Sequence, residues 1–274
     1  MLSRACYLST VLVAAAYALL GAVLFVAPSW SAHHFPWHVS PFLAMTMGGW
    51  YVGTAAYAGS AARHWRWTSA YALLLYVWAF GIGQGILLAI HTDVIRSSAT
   101  LTWPYVAVFG LAGVSAVVGI ADALRVRPGM DGDPDKVGPL PRALSTVFVA
   151  VVIVLALPLV DGYQHPGSIW PGPLTLISAQ GFSVFFLSLA LSAAPLVLVG
   201  RREPMRLYGD AGLVLSGAIL IATFVFIDRF HFGKHPGGLL YVGLYVAVFV
   251  VTARQVMTIR RTRAATTSES ATAA

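Results

Sequence analysis

Eight apolar runs alternate along the chain with short polar segments. They cover residues 7–26, 41–61, 68–90, 103–124, 143–160, 174–200, 207–227 and 239–253. A helix needs roughly 20 apolar residues to cross a bilayer, and strands are much shorter than these runs. The pattern therefore predicts an all-α protein, a polytopic membrane helix bundle of eight transmembrane helices. The first run is longer than the apolar region of a secretory signal, so we expect a retained anchor, with cleavage after Ala32 as the alternative.

The polar segments between the runs are of two kinds, which alternate along the chain. All of the 17 Lys and Arg residues except Arg96, Arg229 and Lys234 lie in one set of gaps, and every His except His64 lies in the other set. Because cationic loops are retained in the cytoplasm, we expect the Arg-rich gaps and both termini there and the His-rich gaps outside. Arg greatly outnumbers Lys and Asn is absent, which is typical of GC-rich bacteria and predicts the bacterial cytoplasmic (plasma) membrane.

Composition agrees with a membrane environment and argues against a soluble domain and against a nucleic-acid-binding protein. Hydrophobic residues make up 58% of the chain and charged residues 10%, against roughly 25% charged in soluble domains. The net charge of +7 does not indicate nucleic-acid binding, because the cations lie in short loops beside the spans and form no groove-sized basic face. Their expected partners are the lipid bilayer and its anionic lipids at the cytoplasmic loops. The single cysteine, Cys6, excludes an intrachain disulfide.

The chain divides into two halves that resemble each other. A Gly- and Pro-rich cytoplasmic linker, 128–141, separates a first four-helix unit, 1–127, from a second, 142–263, and the polar tail, 264–274, is expected to be disordered. Shifts of 132 to 136 residues relate matching positions in the two units: Pro41 and Pro173, Gly49 and Gly181, Asp93 and Asp228, Tyr105 and Tyr241. Units with an even number of spans share one orientation, so we predict two parallel four-helix repeats with a seam or cavity between them.

The outward gaps contain the residues that most resemble a site. They are His33, His34, His38, His91, Asp93, Asp161, His165, Asp228, His231 and His235. Imidazole and carboxylate groups are ligands for transition metals, and His91, His231 and His235 are the candidate metal ligands. Asp228 and His231 share a helix face if the helix continues through them, and could then form an acid–base pair. Alternatively, these side chains hydrogen-bond only water, lipid headgroups or loop carbonyls.

Inside the apolar runs the polar side chains are few. No Asp, Glu, Lys, Arg or His lies at hydrocarbon depth, which argues against an ion-coupled carrier. Gln84 and Gln180 are the main intramembrane polar residues, and each needs a hydrogen-bond partner there. Gly81, Gly83 and Gly85 surround Gln84 and predict close approach of another helix.

Two short segments carry a resemblance to known proteins. Phe35, Pro36 and Trp37 lead to Pro41, and the stretch 228–233 reads Asp-Arg-Phe-His-Phe-Gly. In these features the chain resembles a group of actinobacterial eight-span integral membrane proteins. The resemblance implies the eight-span topology and carries no implication for activity.

These observations favour an outward-facing ligand-binding, metal-binding or accessory role for the His and Asp residues of the outer loops. One alternative is transport of a small molecule or lipid along the repeat interface. Another is a membrane-embedded enzyme that uses Asp228 and His231, although the sequence does not favour an enzyme. No cofactor is strongly indicated.

Overall fold

A computed structural model describes residues 2–129, 136–162, 170, 172–233 and 236–272, with side chains described up to residue 258. These residues form α-helices joined by short connections. The helices are α1 (Arg4–Val26), α2 (Pro28–His34), α3 (Pro41–Arg63), α4 (Trp67–Ile90), α5 (Thr102–Val126), α6 (Pro139–Val160), α7 (Leu176–Val199), α8 (Arg202–Val225) and α9 (Gly237–Thr272), with a single 3₁₀ turn at Ile227–Arg229. The predicted all-α architecture is confirmed for this part of the chain.

Seven of the described helices are long and apolar enough to cross a membrane. They are α1, α4, α5, α6, α7, α8 and the segment Gly237–Thr258 of α9. The chain is therefore a multi-pass helical membrane protein whose environment is a lipid bilayer. Helix α3 is as long as the others, at 23 residues, but is less apolar, and 15 of its residues are buried. Its Gly, Ala, Met and aromatic residues contact other helices, so little of its surface has to be apolar enough to face lipid.

Helix ends follow local capping chemistry. Ser40 caps α3 by accepting a hydrogen bond from the backbone N–H of Leu43, and Pro41 is the first helical residue, as predicted. Thr175 caps α7 in the same way through the N–H of Ser178. Helix α7 ends at Gly200, whose φ of 63° is the left-handed conformation that glycine adopts most easily.

Two elements differ from the sequence-based expectation. The segment after the first span forms a short helix, α2, because Pro28 starts a new turn after α1 ends. Helix α9 continues to Thr272, so it includes residues for which the sequence predicts disorder.

Helices α1, α3, α4 and α5 close on one another as a ring. Helix α1 packs on α3 and α5, and α4 also packs on both. The centre of this ring is filled by aromatic side chains: Tyr17 stacks on Tyr51 with ring centroids 5.9 Å apart, and Phe80 and Phe109 lie against both. The hydroxyls of Tyr51 and Tyr105 are hydrogen-bonded at 2.6 Å. The first half therefore has a solid aromatic core.

The interface between the halves is also tightly packed. It consists of α3 on α8, α4 on α7 and α4 on α8. Trp50 of α3 is 1% exposed and stacks on Phe185 at 4.6 Å, with the edge of Phe182 at 4.3 Å. Glycines bring the backbones together, because a Cβ atom at Gly53 would lie 2.3 Å from Leu215 and one at Gly83 would lie 2.5 Å from Val184.

The second half is less compact than the first. Helix α6 packs on α7 and α8 packs on α9, but contacts between α6 and α9 and between α7 and α8 are sparse among the described residues. A space is thus left between the two pairs of helices.

Candidate functional site

We refer to the two ends of the bundle by their composition. The His-rich end is where α3 begins and α4 ends, and the Arg-rich end is where α3 ends and α4 begins. The residues that the sequence selects as a site lie mostly at the His-rich end, whereas two apolar spaces lie along the helices.

Histidines 33 and 34 are hydrogen-bonded within their own helix. The Nδ1 atom of His33 lies 2.7 Å from the Ser29 carbonyl oxygen, and that of His34 lies 2.8 Å from the Trp30 carbonyl oxygen. The His34 ring also stacks on Trp30 with centroids 4.4 Å apart. Both side chains therefore stabilise α2, an arrangement that matches the alternative of bonding to nearby carbonyls.

Arg96, in the α4–α5 loop, forms hydrogen bonds to the α2–α3 loop at the His-rich end. Its backbone N–H donates to the Pro36 carbonyl at 2.7 Å, and its guanidinium donates to the Phe35 carbonyl at 2.5 Å. The N–H of Leu101 donates to the carbonyl of His34 at 3.0 Å. The aromatic-Pro-Trp segment is thus held by backbone and guanidinium hydrogen bonds, which gives this arginine a structural role.

His91 and Gln180 join the two halves at the same end. The Nε2 atom of His91 donates to the Gln180 side-chain oxygen at 2.6 Å, and the Gln180 amide donates to the Val160 carbonyl at 2.8 Å. Deeper in the bundle, the Gln84 amide donates to the Gly181 carbonyl at 3.1 Å. Both glutamines therefore have the hydrogen-bond partners that the sequence requires of them.

The other described site candidates lie on four different connections between helices. His38, Asp93, Asp161, Asp228 and His231 are exposed. Helix α8 ends at Val225 and a 3₁₀ turn covers Ile227–Arg229, so α8 does not continue through Asp228 and His231 and the two do not share a helix face.

The metal-ligand candidates are tested only in part. Within the described ranges, no three His, Cys, Asp or Glu side chains are placed to hold a metal ion together. His165 and His235 lie outside the described residues. Of the candidate metal ligands, His91 and His231 therefore belong to no such group within the described residues.

A pocket of about 280 Å³ lies in the space between the helix pairs of the second half. Its walls come from α6, α7, α8 and α9, and Tyr57 of α3 reaches it from the first half. Apolar side chains dominate the lining, including Val152, Leu155, Phe186, Ile219 and Leu244. Its size is near the lower end of the range for small-ligand pockets, roughly 300–1,000 Å³.

The pocket opens sideways between α6 and α9. Val147 on α6 is 60% exposed and Val251 on α9 is 38% exposed, and both line the pocket and the surrounding surface. Ala247 lies on the same rim and is also exposed. Since this surface is apolar and belongs to two membrane-length helices, the opening faces lipid.

Tyrosines 57 and 208 close the pocket toward the first half. Their rings meet edge to face at 4.9 Å, and the Tyr208 hydroxyl donates to the Leu189 carbonyl at 3.1 Å and lies 2.8 Å from the Ser192 hydroxyl. These two residues could not be identified from the sequence. A tyrosine in an apolar run looks the same whether it lines a pocket or packs in a core.

A second apolar groove, of about 880 Å³, lies on the surface between α4 and α5. Gly85, Gly110 and Gly113 form part of its floor, and Trp103 stands at its rim. This groove is more open than the pocket of the second half.

Comparisons with protein-family models, with curated proteins and with solved structures find no match for this chain.

Proposed function

We propose that this protein is an eight-span protein of the bacterial plasma membrane whose second half binds a lipid chain in the pocket between α6 and α9. The observation that carries the proposal is the laterally open, apolar pocket inside the second half, in a protein whose first half has an aromatic core and a more open groove on its surface. A buried apolar space that opens to the bilayer provides the environment that a lipid chain prefers.

The proposed topology adds α3 to the seven apolar helices as the eighth span. Its length of 23 residues matches the roughly 20 needed to cross the hydrocarbon core. At the Arg-rich end, Arg66 of the α3–α4 turn forms an ion pair with Glu203 at 3.0 Å, and the backbone of Val137 donates to Gly200. These contacts support a common side for the cationic segments, which we take to be the cytoplasm, with anionic lipids as their partners.

The proposed parallel repeat has support from equivalent side-chain contacts. Trp37 packs on Tyr105 at 5.3 Å in the first half, and Trp170 packs on Tyr241 at 5.6 Å in the second. At the interface, Gly49 of α3 faces Ala218 of α8, and Gly181 of α7 faces Gln84 of α4. The contacts fall in matching positions, as expected for two halves related by an axis along the membrane normal.

Lipid binding accounts for the geometry better than the functions that the sequence favours. A ligand site at the outer loops would need convergent side chains, but His91 and Arg96 bind protein groups, and Asp228 and His231 are exposed and do not share a helix face. Transport along the repeat interface would need a path where Trp50, Phe182 and Phe185 fill the space. The resemblance to actinobacterial eight-span proteins stays a prediction.

Lipid retention after purification tests the proposal. The protein is exchanged extensively into detergent, and bound lipid is measured by mass spectrometry for the wild type, Val151→Trp and Val154→Trp. Val151 lines the pocket, whereas Val154 lies on the lipid-facing surface of the same helix and is 67% exposed. We expect about one lipid per chain in the wild type and in Val154→Trp, and a several-fold loss in Val151→Trp. Equal retention by the two variants would contradict the proposal.

A further inference from the structure

The pocket of the second half changes character along its length. Its lining is mostly aliphatic and aromatic, with the buried Ser216 hydroxyl bonded to the Gly212 carbonyl, whereas Ser145, Thr252 and Gln255 lie toward one end. Ser145 lies in the second turn of α6, and Gln255 lies five turns into α9, so both are near the Arg-rich end. An apolar space with one polar end matches an amphiphile, with its chain inside and its headgroup at that end.

Two arginines lie near the polar end of the pocket, at the Arg-rich end of the bundle. Arg254 precedes Gln255 on α9 and is exposed, and Arg142 lies one turn before Ser145 on α6. The guanidinium of Arg142 donates to the Val197 carbonyl at 3.1 Å, which holds it at the end of α7. Guanidinium, amide and hydroxyl donors together are the groups that bind phosphate oxygens.

We propose, resting on the proposed function, that the occupant is an anionic phospholipid of the leaflet at the Arg-rich end. One acyl chain lies in the pocket, and the phosphate lies beside Arg254, Ser145 and Gln255. The volume of about 280 Å³ has room for part of one acyl chain and not for two. The gap between α6 and α9 lets the second chain remain in the bilayer.

Photo-crosslinking in lipid nanodiscs tests the headgroup and the chain separately. The probes are phosphatidylglycerol and phosphatidylcholine with the same diazirine on one acyl chain, and labelled peptides are identified by mass spectrometry. We expect phosphatidylglycerol to label α6 and α9 several-fold more than phosphatidylcholine. Arg254→Gln should reduce this preference about fivefold, since one cation near an anionic surface contributes about that factor. The matched control, Arg229→Gln at the His-rich end, should keep it.

A blocking variant separates failure of this inference from failure of the proposed function. Ala247→Trp fills the rim of the pocket, whereas Val246→Trp places the same ring on the adjacent lipid-facing position. If Ala247→Trp removes labelling, the pocket binds lipid. If, in addition, both lipids label the wild type equally, or a free fatty acid competes as well as phosphatidylglycerol, the assignment to an anionic phospholipid is wrong. If Ala247→Trp and Val246→Trp label like the wild type, both proposals are wrong.

Discussion

The three glycines around Gln84 have different surroundings, although they stand in one short segment of α4. A Cβ atom at Gly81 would lie 2.8 Å from that of Ala112 on α5, and one at Gly83 would meet Val184 on α7. At Gly85, by contrast, no atom lies within 4 Å. The sequence predicts close helix approach for the group, but only the packing shows which glycines are needed for it.

Replacement by alanine should lower the unfolding free energy at Gly81 but not at Gly85. Gly81→Ala places a methyl group against the α5 backbone, so we expect a loss of about 1–3 kcal/mol in unfolding free energy from overpacking. Gly85→Ala enters open space and should leave stability unchanged or raise it by up to about 1 kcal/mol through helix propensity. Denaturant unfolding in detergent, followed by circular dichroism, measures both. Equal destabilisation would show that the α4–α5 contact is misplaced.

Glutamine 84 shows how far a single residue can be interpreted from sequence. Its need for a hydrogen-bond partner follows from its apolar run, and the partner is the Gly181 carbonyl of the other half. The residue type predicts the bond, whereas the partner depends on how the halves pack, which no local pattern contains. The same limit applies to His91, whose partner Gln180 is 89 positions away in the chain.

At the scale of elements, helix existence is predicted well and the segments between helices are not. All eight apolar runs correspond to helices, because their length and composition leave no other structure in lipid. Helix α2 and the 3₁₀ turn at Ile227–Arg229 are set by local backbone geometry in loops, where composition is uninformative. The expected pairing of Asp228 and His231 assumed that the helix continues through them, whereas α8 ends at Val225.

Arg96 should be important for the order of the His-rich loops. Replacing it with Ala removes the guanidinium bonds to the Phe35 and Trp37 carbonyls, so we expect faster amide exchange across residues 35–40 with the helices unchanged. Arg229→Ala is the control, since Arg229 is an exposed arginine at the same end. Hydrogen exchange measured by mass spectrometry compares the variants. Unchanged exchange in Arg96→Ala would contradict the structural role of this arginine.

At the scale of the molecule, the two halves of the chain differ in packing. The first half closes as a ring around Tyr17 and Tyr51, and the second leaves a pocket between α6 and α9. The sequence predicts a cavity or seam between the halves, because internal duplication indicates only that two units meet. Which unit is open depends on side-chain volumes and helix spacing that periodicity does not reveal.

The orientation of the bundle can be tested by labelling single cysteines. Cys6 is the only cysteine of the chain, so a Cys6→Ser background carries no thiol that the label could modify. Thr92→Cys and Arg127→Cys then place thiols at exposed positions of the two ends. An impermeant maleimide should label Thr92→Cys in intact cells and Arg127→Cys only after permeabilisation. Labelling of both in intact cells would overturn the eight-span topology.

The most direct test of lipid binding by the second half is an electron cryomicroscopy map of the protein in lipid nanodiscs. We expect elongated density between α6 and α9 that starts near Ser145 and Gln255 and passes Leu155 and Ile219, with only side-chain density in the aromatic core of the first half. A map in which α6 packs directly on α9 and leaves no space between them would contradict it.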